Sequence, residues 1–510
     1  MDQHPALILD GSALTLKDFA DVVHRRRPVA LDPEAIHRME ASRRMVEQLV
    51  QKERIIYGIT TGFGKFSDTV ISRHQSAELQ LNLIRSHACG VGTPLSEEVV
   101  RGMILLRANA LAKGFSGVRP VVVQRLIDLL NKGIHPHIPS QGSLGASGDL
   151  APLAHMALPL LGEGEVWYTG KRMAAAQALR LAGLEPIELA AKEGLALING
   201  TQLMTSLTAL ALIASERLLL SADIIGAMTL EALGGIPQAF HPLLQKVRGH
   251  QGQIASADNL RSLIQESSLV NGPGPQRVQD AYSLRCMPQV HGASKDAFHY
   301  VKDVILREMN AATDNPLLFP EENLVVSGGN FHGQPIALAA DFLAIALAEL
   351  ANISERRTER LVNPHLSGLP PFLTRRGGLH SGYMILQYVA ASLVSENKPL
   401  CHPASVDSIP SSANQEDHVS MGAIGARKLQ SVVHNVTRVL AIEYLCAAQA
   451  LEFAKGSFGV GTRIAYRLLR ERVSPLEGDR EGTVDIEEAA RLIEQGTLVR
   501  AVAEAVPLSL

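Results

Sequence analysis

Five stretches, at 203–232, 294–312, 335–361, 382–398 and 419–451, are rich in Ala and Leu and carry their apolar residues near helical period. They constrain the fold more than any other feature of the chain. Small residues along such helices let neighbours approach closely, as in a bundle. Hydrophobic residues make up 46% of the 510 positions, but aromatics only 4%, so the packing is expected to be aliphatic. The expected class is mainly α: a long-helix bundle with a distinct N-terminal domain and a few short β-hairpins. A composition break at 194–200 places the boundary, giving an N-terminal domain over 1–200 and a bundle domain over 201–510.

The N-terminal part reads in shorter pieces. Ala6–Leu9, a turn at Asp10-Gly11 and Ala13–Thr15 suggest a small hairpin, followed by a helix from the capping-box-like Thr15 to Asp18. Asp32-Pro33-Glu34 opens a second helix. From 76 to 132 the pattern is helical, broken at 90–94 and 114–117, and Trp167–Lys171 looks like another hairpin. Near the C-terminus, Asp485 with Glu488 reads as a capping box, and Gly496 as the stop. Irregular polar segments at 271–289, 314–334 and 402–417 interrupt the long helices, and chemistry is expected there.

A net charge of -3 without a basic stripe argues against nucleic acid or an anionic membrane as partner. The apolar run 203–215 closes at Glu216-Arg217, shorter than the ~20 residues that span a bilayer. Cys89, Cys286, Cys401 and Cys446 lack metal or disulfide spacing, and Met1–Pro5 lacks a signal-peptide pattern. A cytoplasmic protein is the expectation.

The most unusual local run is Gly142-Ser143-Leu144-Gly145-Ala146-Ser147-Gly148-Asp149-Leu150-Ala151-Pro152. Its plain reading is a tight turn feeding a helix that Asp149 caps, with Pro152 in the first turn. Gly148 adds a chemical possibility, because no side chain hinders its amide nitrogen from attacking the Ala146 carbonyl carbon. Cyclisation and dehydration at Ser147 would then yield an imidazolone with an exocyclic methylene, a strong electrophile.

That run, continued through Ala154-His155-Met156, resembles the signature of the histidine and aromatic amino acid ammonia-lyases, and matching stretches follow in order from Tyr57 to about Glu443. The resemblance implies a self-made cofactor, 4-methylidene-imidazol-5-one (MIO), formed from Ala146, Ser147 and Gly148, with no external cofactor and no metal. It also implies a homotetramer with sites shared between subunits.

Eliminating ammonia needs an electrophile for a poor leaving group and a base for a weakly acidic β-proton. Tyr57, in Tyr57-Gly58-Ile59-Thr60-Thr61-Gly62-Phe63-Gly64, reads alone as a packed aromatic beside a turn; the family loop makes it the base. This chain carries Thr60 where many relatives carry Asn. A phenol titrating near ~10 needs donors or positive charge to work as phenolate. Gln279-Asp280-Ala281-Tyr282-Ser283-Leu284-Arg285-Cys286 matches a family run in which Arg285 forks the substrate carboxylate, while Tyr282 and Gln279 line the electrophile and the amine. By the same resemblance Asn199 bonds cofactor and carboxylate, and Phe331 packs against the ring. Ser86-His87 occupies the position that separates histidine lyases from tyrosine and phenylalanine lyases, and Glu416 is a second partner for an imidazole. The implied reaction is deamination of L-histidine to trans-urocanate.

Other signals fail. Gly58–Lys65 does not meet the phosphate-loop spacing, Ser147 with His155 is not a hydrolase elbow, and His135 with His137 lacks a third ligand. Ser354-Glu355-Arg356-Arg357 reads as a helix-surface charge set. A phenylalanine or tyrosine lyase, or an aminomutase, is opposed by His87 and Glu416. A non-catalytic helical protein would not need Tyr57, Arg285 and the triplet together, and the loop of fumarase-like lyases is absent.

Overall fold

A computed structural model describes residues 5–62, 64–66, 68–72, 75–272 and 277–510, with only the backbone described at 65. Phe63, Met1 to His4 and part of the 271–289 segment lie outside the described residues. The chain is mostly helical and forms two compact units. The first comprises Met1–Leu210, Asp303–Asp341 and Pro403–Arg427; the second comprises Ala211–Lys302, Phe342–His402 and Lys428–Leu510. The long helices run over Gln202–Ala232, Met287–Met309, Gln334–Val362, Met384–Leu400 and Gly422–Leu451. All but Met384–Leu400 contribute residues to both units.

In the first unit the helix Glu97–Ala112 is buried on every face from Val99 onward, so its pattern is not amphipathic. Helix Leu16–Arg25 packs against it. Gly102 permits the approach: a Cβ there would lie 2.7 Å from the Phe19 ring. Thr15 caps Leu16–Arg25 by accepting from the Asp18 amide, and Asp32 caps Pro33–Gln51. The gaps at 90–94 and 114–117 separate helices Ser76–His87, Glu97–Ala112 and Pro120–Lys132, as the pattern predicts.

The expected first hairpin does not form. Strand Leu7–Leu9 pairs in parallel with Val29–Leu31. The turn itself exists, since Asp10 Oδ1 accepts from the Ser12 and Ala13 amides. The returning arm is claimed elsewhere: Asn310 accepts from the Leu14 amide and donates to its carbonyl, both at 2.9 Å. The second hairpin is present, Glu165–Tyr168 against Lys171–Ala174, turning through Thr169 and Gly170 at positive φ. A further hairpin, Leu317–Phe319 with Leu324–Val326, lies in a segment expected to be irregular.

In the second unit, Ser354 and Arg357 are fully buried and Glu355 nearly so, and of the set only Arg356 lies on the surface as expected. Arg357 forks Glu443 at 2.6 and 2.9 Å, while Ser354 and Thr229 donate to the same carboxylate. Arg357→Met leaves Glu443 buried without its cation. Urea unfolding should show a loss of about 3–5 kcal/mol, and adding Glu443→Gln should restore part of it. Beside them Asp223 takes hydrogen bonds from His291, Lys295 and Asn259. Burial works to raise the Asp223 carboxyl, but Lys295 and His291 bring it below its ordinary value.

Two local readings are corrected. Helix Gln202–Ala232 continues past Glu216-Arg217, and it and Gln334–Val362 are long and apolar enough to cross a membrane; their most apolar windows are 72% and 67% buried within the molecule. Helix Gly482–Glu494 starts before Asp485, whose carboxylate takes the Arg480 guanidinium instead of acting as the cap. Gly496, with φ +67, ends the segment as expected.

Candidate active site

The Gly142–Asp149 loop is held from several sides within the first unit. Ser143 donates to Asp149 Oδ1 (2.8 Å) and accepts from the Gly145 amide. Ser420 donates to the Gly145 carbonyl, and the Met421 amide to that of Leu144. Ala146 packs on Val419 and Met421. Asp149 stands at the start of Leu150–Ala157 but makes no capping bond to it. Its Oδ2 instead accepts from the Met204 amide (3.0 Å), so it serves the first turn of the next long helix. Burial pushes its carboxyl up to about 6, against the pull of the Met204 amide and the Ser143 hydroxyl.

The triplet lies along Asn199-Gly200. Gly148 and Gly200 form a parallel bridge, the Asp149 amide donates to the Gly200 carbonyl (2.7 Å), and Asn199 Nδ2 donates to the Ser147 carbonyl (3.0 Å). Gly148 has φ +78, and a Cβ there would fall 2.1 Å from the Gly200 oxygen. Only glycine fits. Of the three residues, Ser147 alone is half-buried, and the other two are buried. The cradle fits an imidazolone built from these three residues: glycine is enforced where the nitrogen must turn back, and Ser147 Cβ borders open space.

Two cavities adjoin there, with Tyr57, Gly64, Ser147, Asn199 and Glu416 in the walls of both. The larger, about 750 Å³, is mainly apolar, with Leu83, Leu195 and Ile198 beside His87. The other, about 500 Å³, holds Phe331 with Asn315, His332, Asp417 and His418. Glu416 Oε1 accepts from Ser147 Oγ at 3.1 Å, and its Oε2 from Ser411 Oγ at 3.3 Å. His87 ends the helix Ser76–His87, with Nδ1 3.0 Å from Ser86 Oγ. Burial lowers its pKa, so the ring is neutral near pH 7. Asn199 Oδ1 is buried without a hydrogen-bond partner among the described residues, which leaves an acceptor suited to an ammonium group.

Tyr57 differs from expectation. Burial raises its pKa above 10; the Gly64 amide, 3.4 Å from the hydroxyl, opposes this, and Glu416 adds to it. The described residues lining the cavities include no Lys or Arg that would favour phenolate. Gln279, Tyr282 and Arg285 belong to the second unit and line neither cavity. There, the Arg285 guanidinium lies 4.6 Å from the Tyr282 ring centroid, and Tyr282 is 70% exposed.

Sequence reading passed over His332, His418 and Asn315, although each lies in or beside a quoted motif or a flagged loop. It also passed over Glu308, whose carboxylate accepts from Thr201. Burial raises Glu308 to about 7, with Asp149 adding to the shift. Because the folded pKa exceeds the unfolded one, stability from this group is present below about pH 4.5 and is lost as pH rises through 7. Glu308→Gln should flatten the fall in unfolding free energy between those limits by about 3 kcal/mol, measured by denaturant titration across pH. His135 is a core histidine beside Arg101, and burial lowers it to about 4. Among the described residues no group of three His, Cys, Asp or Glu side chains could hold a metal ion.

The chain is similar in sequence and fold to known proteins. The family described as aromatic amino acid lyase matches residues 14–471. A histidine ammonia-lyase from Symbiobacterium thermophilum is 60% identical over 493 residues, 96% of this chain and 97% of that one. The crystal structure of histidine ammonia-lyase from Trypanosoma cruzi has a TM-score of 0.92 at 45% identity, covering 99% of this chain and 96% of the other. A tyrosine aminomutase from Streptomyces globisporus reaches 0.95 at 40% identity, covering 99% and 100%. The chain, with its long helices, belongs to the aromatic amino acid lyase family. It is a carbon–nitrogen lyase.

Proposed function

We propose that the chain is a histidine ammonia-lyase, converting L-histidine to trans-urocanate and ammonia. The observation that carries this reading is the meeting of Ser147 with His87 and Glu416 in one cavity wall. An imidazole has polar atoms that an apolar pocket would leave unpaired, and these two side chains can meet them. The identity to histidine ammonia-lyases over nearly the full chain supports the same choice.

Ala146, Ser147 and Gly148 would form the ring, which when present would supply the electrophile. Asn199 orients the reacting end through its free Oδ1, while His87 and Glu416 hold the imidazole. Phe331 walls the polar cavity, and Tyr57 Oη takes the β-proton. The site is completed in a homotetramer, where Gln279, Tyr282 and Arg285 reach it from another copy. Arg285 then forks the carboxylate, and its charge lowers the Tyr57 pKa that burial has raised.

Incubation with histidine, phenylalanine and tyrosine separately, followed by ultraviolet absorbance of each unsaturated acid, tests the assignment. Urocanate alone should accumulate at appreciable rate; reaction of phenylalanine or tyrosine without histidine rejects it. His87→Leu should cut kcat/KM for histidine by roughly 5–150-fold, the worth of about 1–3 kcal/mol of lost polar pairing. Its selectivity should move toward phenylalanine in the same assay.

A further inference from the structure

Behind the triplet, in the largely buried helix Glu97–Ala112, sits a charge that the proposed reaction does not use. Arg107 is fully buried. Its Nη1 donates to the Asn199 carbonyl at 2.8 Å and to Gln202 Oε1 at 3.0 Å. Gln202 is held in turn by donating to Thr313 Oγ1 at 3.0 Å. The packing is close: a Cβ on Gly200 would fall 2.3 Å from Arg107 Nη1 and 2.4 Å from Gln202 Oε1. Nε and Nη2 have no hydrogen-bond partner among the described residues.

This is a poor arrangement for stability alone. Unpaired buried donors are costly, and an apolar side chain of similar size is often neutral or better at such a position. What the guanidinium does is fix one backbone carbonyl. Asn199 carries the amide that grips the Ser147 carbonyl, and the next residue, Gly200, is the one against which Gly148 lies. Thr313 and Gln202 prevent the fork from turning away. The charge persists near neutral pH: burial lowers Arg107 to about 10 and Asp314 opposes the shift.

We propose that Arg107 is a positioning residue for closure of the Ala146-Ser147-Gly148 ring, acting through Asn199-Gly200. It rests on the reading of the triplet as ring-forming. In that closure the Gly148 nitrogen bonds to the Ala146 carbonyl carbon. The carbonyl oxygen departs as water with the Gly148 and Ser147 amide protons. A second water takes the Ser147 hydroxyl and the proton of its Cα, leaving a carbon–carbon double bond. No oxidant or reductant is required. The reaction is intramolecular and depends on holding Gly148 in its left-handed conformation, so a small displacement of Gly200 slows it steeply.

The test is the intact mass of the full chain, sampled through a chase after a short pulse of synthesis. Wild type should lose two water masses promptly. Arg107→Met, with wild-type helicity and elution volume, should lose them on the order of a hundredfold more slowly. Arg107→Lys, which keeps the cation and one donor, should fall between. Leu106→Ala, a neighbouring core truncation, controls for general destabilisation and should mature at the wild-type rate. A folded Arg107→Met that matures as fast as wild type overturns the proposal, as does equal slowing in Leu106→Ala. If Arg107→Met does not fold, Arg107→Lys decides: a rate on the order of tenfold below wild type supports the proposal, and a matching rate rejects it. Loss of no water by active wild type refutes the ring reading itself, a result distinct from any of these.

Discussion

A Ser147→Ala chain should fold normally and lose histidine-eliminating activity by about 10⁴-fold or more, the scale seen when a covalent group is deleted from a site. Normal folding is expected because Ser147 is half-buried and its hydroxyl contributes one hydrogen bond, to Glu416 Oε1. The variant has no hydroxyl to expel, so no exocyclic double bond can form at position 147. Two measurements check this independently. Urocanate absorbance reports the activity, and intact mass reports whether the second water is lost. A variant retaining full activity would remove the electrophile from the account, whatever its mass. Gly148→Ala should fail earlier, since its Cβ would meet the Gly200 backbone at 2.1 Å. That variant is expected to disturb the loop itself as well as ring closure.

Tyr57→Phe should lower kcat by about 10²–10⁴-fold with little change in KM, the range for removing a general base. The ring stays to fill its place in the cavity, and what disappears is one oxygen. The pH profile carries the sharper test. Burial raises the Tyr57 pKa, and a phenol acts as a base only when ionised, so kcat should rise with pH on the alkaline side. The Phe variant should lack that rise. If the slope survives the substitution, the base is another group. Arg285→Met should displace the same limb toward higher pH, and Arg285→Lys, which keeps the charge, should displace it less, provided Arg285 reaches the site from another copy as proposed.

Much of the local structure could be read directly. Thr15 and Asp32 cap the helices their spacing indicates, and Thr169-Gly170 turns the hairpin. The long Ala/Leu-rich stretches are helices to within a few residues except at the start of Met287–Met309. Such features depend on neighbours within about four positions along the chain, and periodicity and caps record those interactions. Ala146-Ser147-Gly148 is of the same kind, because its chemistry needs three consecutive residues and a missing side chain.

What spacing could not supply was every pairing between residues distant in the chain. Asp149 looks like the cap of its own helix, yet it turns to Met204 because a buried carboxylate takes whatever amide the fold presents. Leu14 pairs with Asn310 rather than with the strand beside it, and the hairpin is lost. Arg357 looks like one of a row of surface charges until Glu443 is seen across from it. Tyr57 has a raised pKa because of burial and Glu416, neither of which is written at position 57. The sequence alone determined the helices and the Ala146-Ser147-Gly148 triplet, since both are settled by near neighbours. Tertiary structure decided which carboxylates are buried, which amides they meet and what lies behind the triplet, because those energies depend on distances that only folding brings below 4 Å.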